Sequence, residues 1–318
     1  MSNSFYVCLL SNVPDYPDNQ PNKFRVHLPR PLYFSGDWVC GVHSISYPYS
    51  WSSTIGTLDE QWIKIHFIDE NLKKNVIRIP VPAASHINVE ALKNYLATTL
   101  KHQSDSIGLE KDEGRKDNMT QTSPPSSPSV LDVMGLGSDK NRGDKLFEVL
   151  LGKETKKTPN LSFLKSIIES IQLDYHKDFA RFKLVFTHKS IKHLSFSPQL
   201  GYVLGFANPQ HVQNNEIAKY GCDLRGGFSS FAIYAKGLTE NMIVGNSLSS
   251  LLRIVSVTGA LPGEYHEKIY DSPIYVRVLP REVNEIEVEL RTMDNGRLVP
   301  FAYGTVSIVL IFKKVINF

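Results

Sequence analysis

The sequence predicts an all-β protein, a β-sandwich of antiparallel sheets with helical insertions. Many short segments alternate apolar and polar residues with a period of two, which is typical of strands with one buried face. Few segments have helical spacing, and 20 glycines and 18 prolines separate the strand-like segments. With 42% apolar residues in 318, the chain can bury a sizeable core. Together these observations favour a sandwich.

The strongest alternation lies in residues 285–314. Every second residue from Ile286 to Leu290 is aliphatic, and glutamates lie between them. Asn295-Gly296 supplies the positive φ angles of a tight turn. The return arm, Gly304 to Phe312, is almost continuously apolar, which indicates that both faces are covered. We predict a long antiparallel hairpin with one arm at the centre of a sheet.

The first part of the chain predicts five further strands, at residues 5–10, 23–28, 38–47, 62–68 and 76–81. Pro29 and Pro31 close the second strand and Pro48 ends the third, because proline has no N–H to give to a ladder. Trp51 follows. The polar turn at residues 69–75 makes the last two strands a hairpin.

The period changes to a helical one in the middle of the chain. Asn88 can cap a helix from Val89 to about His102, and a second helix is predicted over Leu161–Tyr175. Between them, Thr120–Ser129 is polar and rich in proline, which favours a disordered or mobile centre. We therefore expect residues 1–87 and 177–318 to form the sandwich and residues 88–176 to be an insertion.

Strands resume at residues 181–187, with residues 191–196 as the expected partner. A short helix is predicted at residues 200–206. Four more strands are predicted at residues 228–235, 242–244, 251–257 and 274–279.

Composition and charge argue against several classes of function. The 35 basic and 32 acidic side chains leave a net charge of +3, too balanced to indicate a specific nucleic-acid or membrane partner. Cys8, Cys40 and Cys222 form no close pair, which favours reduced thiols in the cytosol or nucleus. We find no signal peptide, and no apolar run approaches the 18 residues of a membrane span.

The sequence contains no motif that predicts catalysis. Cysteines and histidines lack metal-ligand spacing, and the closest histidine pair, His188 and His193, is expected to face solvent on separate arms. Nucleophile-elbow, metalloprotease and phosphate-loop motifs are absent from the sequence. We expect no enzyme activity, no catalytic residue, no metal and no cofactor.

Arg142-Gly143-Asp144 lies in the polar insertion. It has two interpretations: an exposed integrin-type adhesion loop, or coincidence in a segment rich in glycine and charge.

Two blocks of the sequence resemble the minor capsid, or penton, protein of Polinton (Maverick) transposons and related adintovirus-like elements. The first, Ser11 to Trp51, contains Leu-Pro-x-Pro-Leu, Gly-x-Trp-x-x-Gly and Tyr-Pro-x-x-Trp in the order typical of that family. The second, Met242 to Lys313, also follows the family order, but Gly245-Asn246 stands where Gly-Asp is usual. Residues 86–175 do not share the resemblance.

The resemblance implies a single jelly-roll β-sandwich, with eight strands in two antiparallel sheets. It implies a homopentamer at the fivefold vertices of an icosahedral shell, beside a double jelly-roll major capsid protein. The location would be the virion capsid, and the host cytoplasm or nucleus during assembly. Adenovirus penton base carries Arg-Gly-Asp in a mobile insertion, so the analogy extends to a host receptor.

Assembly through the rims of a sandwich predicts where the contacts lie. We expect the loops Pro29–Gly36, Tyr47–Ile55 and Leu261–Pro273 to contribute, with Pro48, Trp51, Pro29 and Pro31 as candidates. Trp51 has a second interpretation, as a plug at one end of its own sandwich. A lectin-like or receptor-binding sandwich is the alternative function, and it requires Trp or Tyr beside Asn or Asp on a concave face.

Overall fold

The computed structural model describes residues 4–109, 160–294 and 296–315. Strands in antiparallel sheets dominate the regular structure of these residues, and helices are few, so the predicted all-β class is confirmed. The chain divides into two compact units. Unit 1 comprises Met1–Ser53 and Gly227–Phe318, and unit 2 comprises Thr54–Gly226.

The strands of the described residues, in chain order, are β1 (Ser4–Leu10), β2 (Lys23–Tyr33), β3 (Trp38–Pro48), β4 (Gln61–Ile68), β5 (Lys74–Val81), β6 (Ile171–His176), β7 (Arg181–Phe186), β8 (Ile191–Phe196), β9 (Ser230–Lys236), β10 (Met242–Val244), β11 (Ser247–Ser249), β12 (Leu251–Ser256), β13 (Tyr265–Ile269), β14 (Val276–Arg277), β15 (Glu282–Thr292) and β16 (Ser307–Lys314). The helices are α1 (Val89–Leu109), α2 (Leu161–Glu169) and α3 (Pro198–Leu204). No helix among the described residues is both long and apolar enough to cross a bilayer.

Unit 1 contains two larger antiparallel sheets that share one core. The first has the order β1-β16-β3-β13, with β14 also paired to β3, and the second has the order β12-β9-β15-β2. The two ends of the chain meet in the first sheet, where β1 pairs with β16 from Ser4–Lys313 to Leu10–Ser307. Both sheets contribute fully buried side chains to one cluster, such as Phe312 from the first and Phe231 from the second.

The predicted terminal hairpin is wrong, because its two arms lie in different sheets. β15 pairs with β2 and β9, whereas β16 pairs with β1 and β3. The chain does reverse after β15: the Thr292 N–H donates to the Arg297 carbonyl at 2.8 Å, and Gly296 has a φ of +67°. Pro300 has no N–H with which to extend this short ladder, and the chain crosses to the other sheet.

Unit 2 has its own core. It contains the three-stranded sheet β5-β4-β8, the two-stranded sheet β6-β7 and helices that pack beside them. Leu96 of α1, Ile167 of α2 and Ile65 of β4 are each fully buried in this core. The predicted β4–β5 hairpin is confirmed, with partners from Gln61–Val81 to Ile68–Lys74.

Two local predictions in unit 2 are wrong. Residues 191–196 pair with β4 and not with residues 181–187, whose partner is β6. The helix predicted over Leu161–Tyr175 ends at Glu169, because the Ser170 N–H closes the last turn on carbonyls of that helix. The alternation of buried Ile171 and Leu173 then continues as β6.

The units do not follow the boundaries expected at residues 87/88 and 176/177. The chain divides at 53/54 and 226/227, so β4, β5, β7 and β8 belong to unit 2 with the helices. The physical reason is that a half-buried strand shows that one of its faces is covered, but not which core covers it. Unit 2 is thus an insertion between β3 and β9 of unit 1.

Candidate assembly surface

The outward face of the sheet β1-β16-β3-β13 has few charged residues away from the end where β14 pairs with β3. Its side chains form two rows of cross-strand partners, Leu10, Ser307, Ser46 and Glu267 in one row and Cys8, Val309, Ser44 and Ile269 in the other. The Cys8 Sγ lies 3.7 Å from the Ser307 Oγ, as expected for side chains on one face. We call these residues, together with Tyr6 and Tyr265, the outer sheet face. Glu267 is the only one of these residues that is charged at neutral pH. Lys313 of β16 and Arg277 of β14 lie farther along the same outward side of the sheet, where both are cross-strand partners of Val39.

Large apolar side chains of the outer sheet face are exposed. The exposed fractions are 58% for Tyr6, 58% for Tyr265 and 61% for Ile269. These three side chains lie on the two edge strands of the sheet, with serines and Glu267 between them. Charged residues are depleted at the centre of protein interfaces, so a face with few charges is a candidate contact surface.

The outward face of the second sheet of unit 1 is charged. Lys23, Arg25 and Lys236 lie opposite acidic residues of β15, with Glu289 as the partner of Lys23 and Glu287 as the partner of both other cations. A face of mixed charge is suited to water. The charged face of the second sheet is therefore suited to solvent, whereas the outer sheet face is a candidate for contact with another molecule.

Glu289 is the buried centre of this charged face. Its side chain is 1% exposed, and its carboxylate lies 2.5 Å from Lys236 Nζ, 2.7 Å from Arg291 Nη2 and 3.3 Å from Lys23 Nζ. Burial raises the pKa of Glu289, but hydrogen bonds from Lys236 and Arg291 outweigh burial and lower the pKa to about 2. Glu289 is thus ionised at neutral pH and fixes three cations around it.

Pro29 and Pro31 lie within β2 and not after it. β2 is an edge strand of its sheet, and between the pairs His27–Glu285 and Leu32–Val283 it is bulged, with both prolines exposed. Proline is tolerated there because an edge strand has a free side, and bulged prolines discourage pairing with another strand. Both prolines are at the surface, and their role in assembly stays a prediction.

Pro48 and Trp51 are buried in unit 1. Trp51 is 4% exposed, and its ring centroid lies 4.3 Å from that of Tyr49 and 4.8 Å from that of Phe228. Pro48 ends β3, opposite Tyr265 of β13. A residue that plugs one end of its own sandwich must be buried in this way, among rings of the same unit. A direct contact of Trp51 with a neighbouring subunit stays a prediction.

The segment Leu261–Pro273 contains a strand that sequence reasoning missed. β13 has the sequence Tyr-His-Glu-Lys-Ile and is an edge strand with three outward side chains exposed. Its polar residues and absence of β-branched residues before Ile269 give little strand signal. By contrast, the strand predicted at residues 274–279 is shorter in the structure, where only the two residues of β14 form it.

The hairpin β10–β11 also presents apolar side chains to solvent. Ile243 and Leu248 are cross-strand partners and are 78% and 67% exposed. Gly245, with a φ of +62°, begins the turn that joins the two strands. An exposed apolar pair on a two-stranded sheet is a further candidate contact, since such a hairpin is marginal alone.

Two other predictions concern sites. Arg142, Gly143 and Asp144 lie outside the described residues. Among the described residues, no cluster of three or more His, Cys, Asp or Glu is arranged to hold a metal ion. His188 and His193 do not simply face solvent, as was expected: both are half-buried, with His188 against the ring of Phe163 and His193 between His66 and His211.

Comparisons with known proteins find likeness in structure but not in sequence. No family model matches the chain, and none of the curated proteins matches it. The chain is similar in structure to the crystallised, selenomethionine-labelled mavirus penton protein, with a TM-score of 0.45 and 9% sequence identity over 98% of this chain and 99% of that one.

Proposed function

We propose that the chain is a structural capsid protein of the penton type and that unit 1 is a single jelly roll. The order of its strands supports this topology. When the strands of the two larger sheets are numbered in chain order, with β14 left out as a short extension beside β13, the first pairs with the last, the second with the seventh, the third with the sixth and the fourth with the fifth. A long antiparallel hairpin wrapped into two sheets gives such nested pairs.

The observation that carries the proposed assembly role is the contrast between the two outward faces of unit 1. One face is charged and centred on Glu289, whereas the outer sheet face has Glu267 as its one charged residue and exposes Tyr6, Tyr265 and Ile269. A large neutral surface on one side of a subunit is suited to burial against a neighbour. Repeated head-to-tail contacts form a ring when the rotation between neighbouring subunits closes.

The location and partners follow from the sequence resemblance. Both resembling blocks, residues 11–51 and 242–313, fall inside unit 1, which is the unit with the nested strands. We therefore propose homopentamers at the fivefold vertices of the shell of a Polinton-like element, in contact with a double jelly-roll major capsid protein. The protein would be part of the virion and would assemble in the host cytoplasm or nucleus. Receptor attachment through Arg142-Gly143-Asp144 stays a prediction.

The assembly proposal is tested by placing a charge on the outer sheet face. Ile269→Asp is expected to weaken self-association of the full chain at least tenfold, because an unpaired carboxylate would be buried at each contact. Leu72→Asp is the matched control: Leu72 is 86% exposed in unit 2 and has a φ of +60°, which aspartate tolerates. Sedimentation velocity over a concentration series measures both variants.

Three results are informative in this experiment. Oligomers of the wild type and of Leu72→Asp, with dissociated Ile269→Asp, would support the proposal. A wild type that stays monomeric, alone and with the major capsid protein, would contradict the assembly role. Equal association of all three proteins would remove the outer sheet face from the interface.

A cleft in unit 2 favours the receptor-binding alternative as a second candidate. The cleft has a volume of about 490 Å³, and the rings of Tyr202 and Tyr220 in its wall are 61% and 56% exposed. The Tyr202 hydroxyl donates to the Asp223 Oδ2 at 3.1 Å, and the Arg225 N–H donates to the Asp223 Oδ1 at 2.9 Å. Aromatic rings beside a fixed carboxylate can stack on a sugar ring and accept its hydroxyl hydrogens.

The cleft is preformed by a close approach of two backbone segments. Gly205 has a φ of +83°, and a Cβ atom at that position would lie 2.2 Å from the Tyr220 carbonyl oxygen. A larger residue would therefore push the two walls apart. The lectin-like alternative expected such a tyrosine–aspartate arrangement on a sheet face, whereas here it lies beside α3.

We expect a glycan array probed with the full chain to test this second candidate. If the cleft binds a sugar, binding should weaken at least tenfold in Tyr202→Ala and in Tyr220→Ala, because each change removes a ring on which the sugar would stack. Tyr33→Ala, which removes a ring that is 70% exposed in unit 1, is the control and should bind as the wild type does. An array without specific signal would reject the candidate.

A further inference from the structure

Three histidines stack on the outward face of the three-stranded sheet of unit 2. His66 of β4 and His193 of β8 are cross-strand partners, with ring centroids 4.1 Å apart and planes 14° from parallel. The ring of His211 lies 4.0 Å from that of His193 on the other side. We call His66, His193 and His211 the histidine stack. The rings of His193 and His211 are tilted by 36°. The three histidines are not arranged as a metal site: within the described part of the chain, no group of three or more His, Cys, Asp or Glu could hold a metal ion.

The stack connects three segments of the chain. β8 is paired with β4 on one side, and on the other side Leu194 exchanges two backbone hydrogen bonds with Val212, at 2.8 and 2.9 Å. The Ser195 hydroxyl donates its one proton to the Gln210 carbonyl at 2.7 Å, so it can only accept a hydrogen bond from another group. The 2.8 Å contact between Ser195 Oγ and His66 Nε2 is therefore donated by the histidine.

Charged groups around the stack disfavour further positive charge. Lys64 is two residues from His66 on β4, and Arg78 of β5 is the cross-strand partner of Lys64. The ionisable groups of the elements packed around the stack are the cations Lys64, Arg78, Lys74 and Lys192, the carboxylates Glu60, Asp69 and Glu216, and the three histidines themselves.

The carboxylates near the stack have other partners. Glu60 pairs with Arg78 at 3.6 Å, Asp69 accepts the backbone N–H groups of Asn71 and Lys73, and Glu216 accepts that of Gln213. A second or third imidazolium in the stack would thus meet like charges about 4 Å away without a counter-ion fixed to it.

We propose that the histidine stack is an acid-sensitive switch that holds β8 and the segment 208–213 against β4 at neutral pH and releases them on acidification. Neutral rings stack and support the hydrogen bonds of Ser195. Protonated rings repel one another across the same distances, and the contacts between β4, β8 and segment 208–213 open. This inference is independent of the proposed capsid role.

The pKa values agree in direction with the geometry. Burial, together with the charges of His66 and His211, lowers the pKa of His193 to about 4. Burial, Lys64 and His211 lower the pKa of His66. A histidine whose pKa is lower in the folded chain than its ordinary 6.5 stabilises the fold fully above pH 6.5, and this contribution is lost as the pH falls towards 4.

Hydrogen exchange of the full-length chain between pH 7.5 and 4.5 tests the proposal. After correction for intrinsic rates, residues 191–196 and 208–213 should lose protection about tenfold over this range, before the core of unit 1. His193→Phe, which keeps a stacked ring without a titrating group, should reduce this loss to at most about twofold. His102→Gln, at an exposed position on α1, is the control and should behave as the wild type does.

A direct titration covers the case in which His193→Phe does not fold. The His193 ring in the wild-type chain, followed by NMR, should titrate below about pH 5.5. A His193 that titrates at its ordinary value would overturn the proposal. Equal loss of protection in the wild type and His193→Phe, or no loss in the wild type, would do the same.

Discussion

Trp51→Ala is expected to lower the free energy of unfolding of unit 1 by about 3–5 kcal/mol, because it removes a large buried ring and leaves a cavity. Trp51 lies within an aromatic cluster, with the rings of Tyr49 and Phe228 nearest and those of Tyr47 and Phe231 slightly farther away. Hydrogen exchange of the full chain in increasing denaturant measures this loss in β3 and β9 separately from unit 2.

Smaller changes at the same position give the comparison. Among the described residues the Trp51 Nε1 has no hydrogen-bond partner, so Trp51→Phe loses volume but no hydrogen bond within the chain and should cost about 1–2 kcal/mol. Tyr33→Ala, at an exposed ring, should cost less than about 0.5 kcal/mol. If Trp51→Ala kept its stability but lost assembly, Trp51 would be a contact residue and not a plug.

Glu289→Ala is expected to lower the free energy of unfolding of unit 1 by about 3 kcal/mol. The carboxylate is buried and has three cationic partners, and its removal leaves Lys23, Lys236 and Arg291 together without their shared anion. Because these cations are partly exposed and can turn to water, we expect the lower end of the range for broken buried ion pairs.

The pH dependence of the same site has a defined sign. The pKa of Glu289 is lowered from 4.5 to about 2, so its contribution is present above pH 4.5 and is lost as the pH falls towards 2. In Glu289→Ala the free energy of unfolding of unit 1, followed by exchange in β15, should therefore change less between pH 4.5 and pH 2 than it does in the wild type. Glu287→Ala, at a side chain that is 34% exposed, is the control and should cost less than about 1 kcal/mol. A Glu289→Ala protein as stable as Glu287→Ala would remove the carboxylate from this role.

The strands of unit 1 could largely be predicted from the sequence, because alternation and proline mark their faces and ends. In β2, Phe24, Val26 and Leu28 point into the core and alternate with polar residues, as a half-buried strand requires. The partners of the strands could not be predicted in the same way. β15 and β16 are neighbours in sequence, yet each is central in a different sheet, and alternation is the same for either choice of partner.

The surface features were less accessible to sequence reasoning. The outer sheet face depends on which strands are adjacent, since Leu10, Ser46 and Ser307 become neighbours only through pairing across the sheet. The histidine stack has the same origin: His66, His193 and His211 are far apart in sequence and meet through the register of β4 and β8. The sequence blocks could indicate a class of protein, but not the face through which it assembles.

Cryo-electron microscopy of the purified full-length chain tests the central claim most directly, namely that unit 1 is a jelly roll that assembles through its outer sheet face. The account predicts rings with fivefold symmetry in which Tyr265 and Ile269 are covered by the neighbouring subunit and the Glu289 face is open to solvent. Monomers at high concentration, or rings that cover the charged face and leave the outer sheet face exposed, would contradict it.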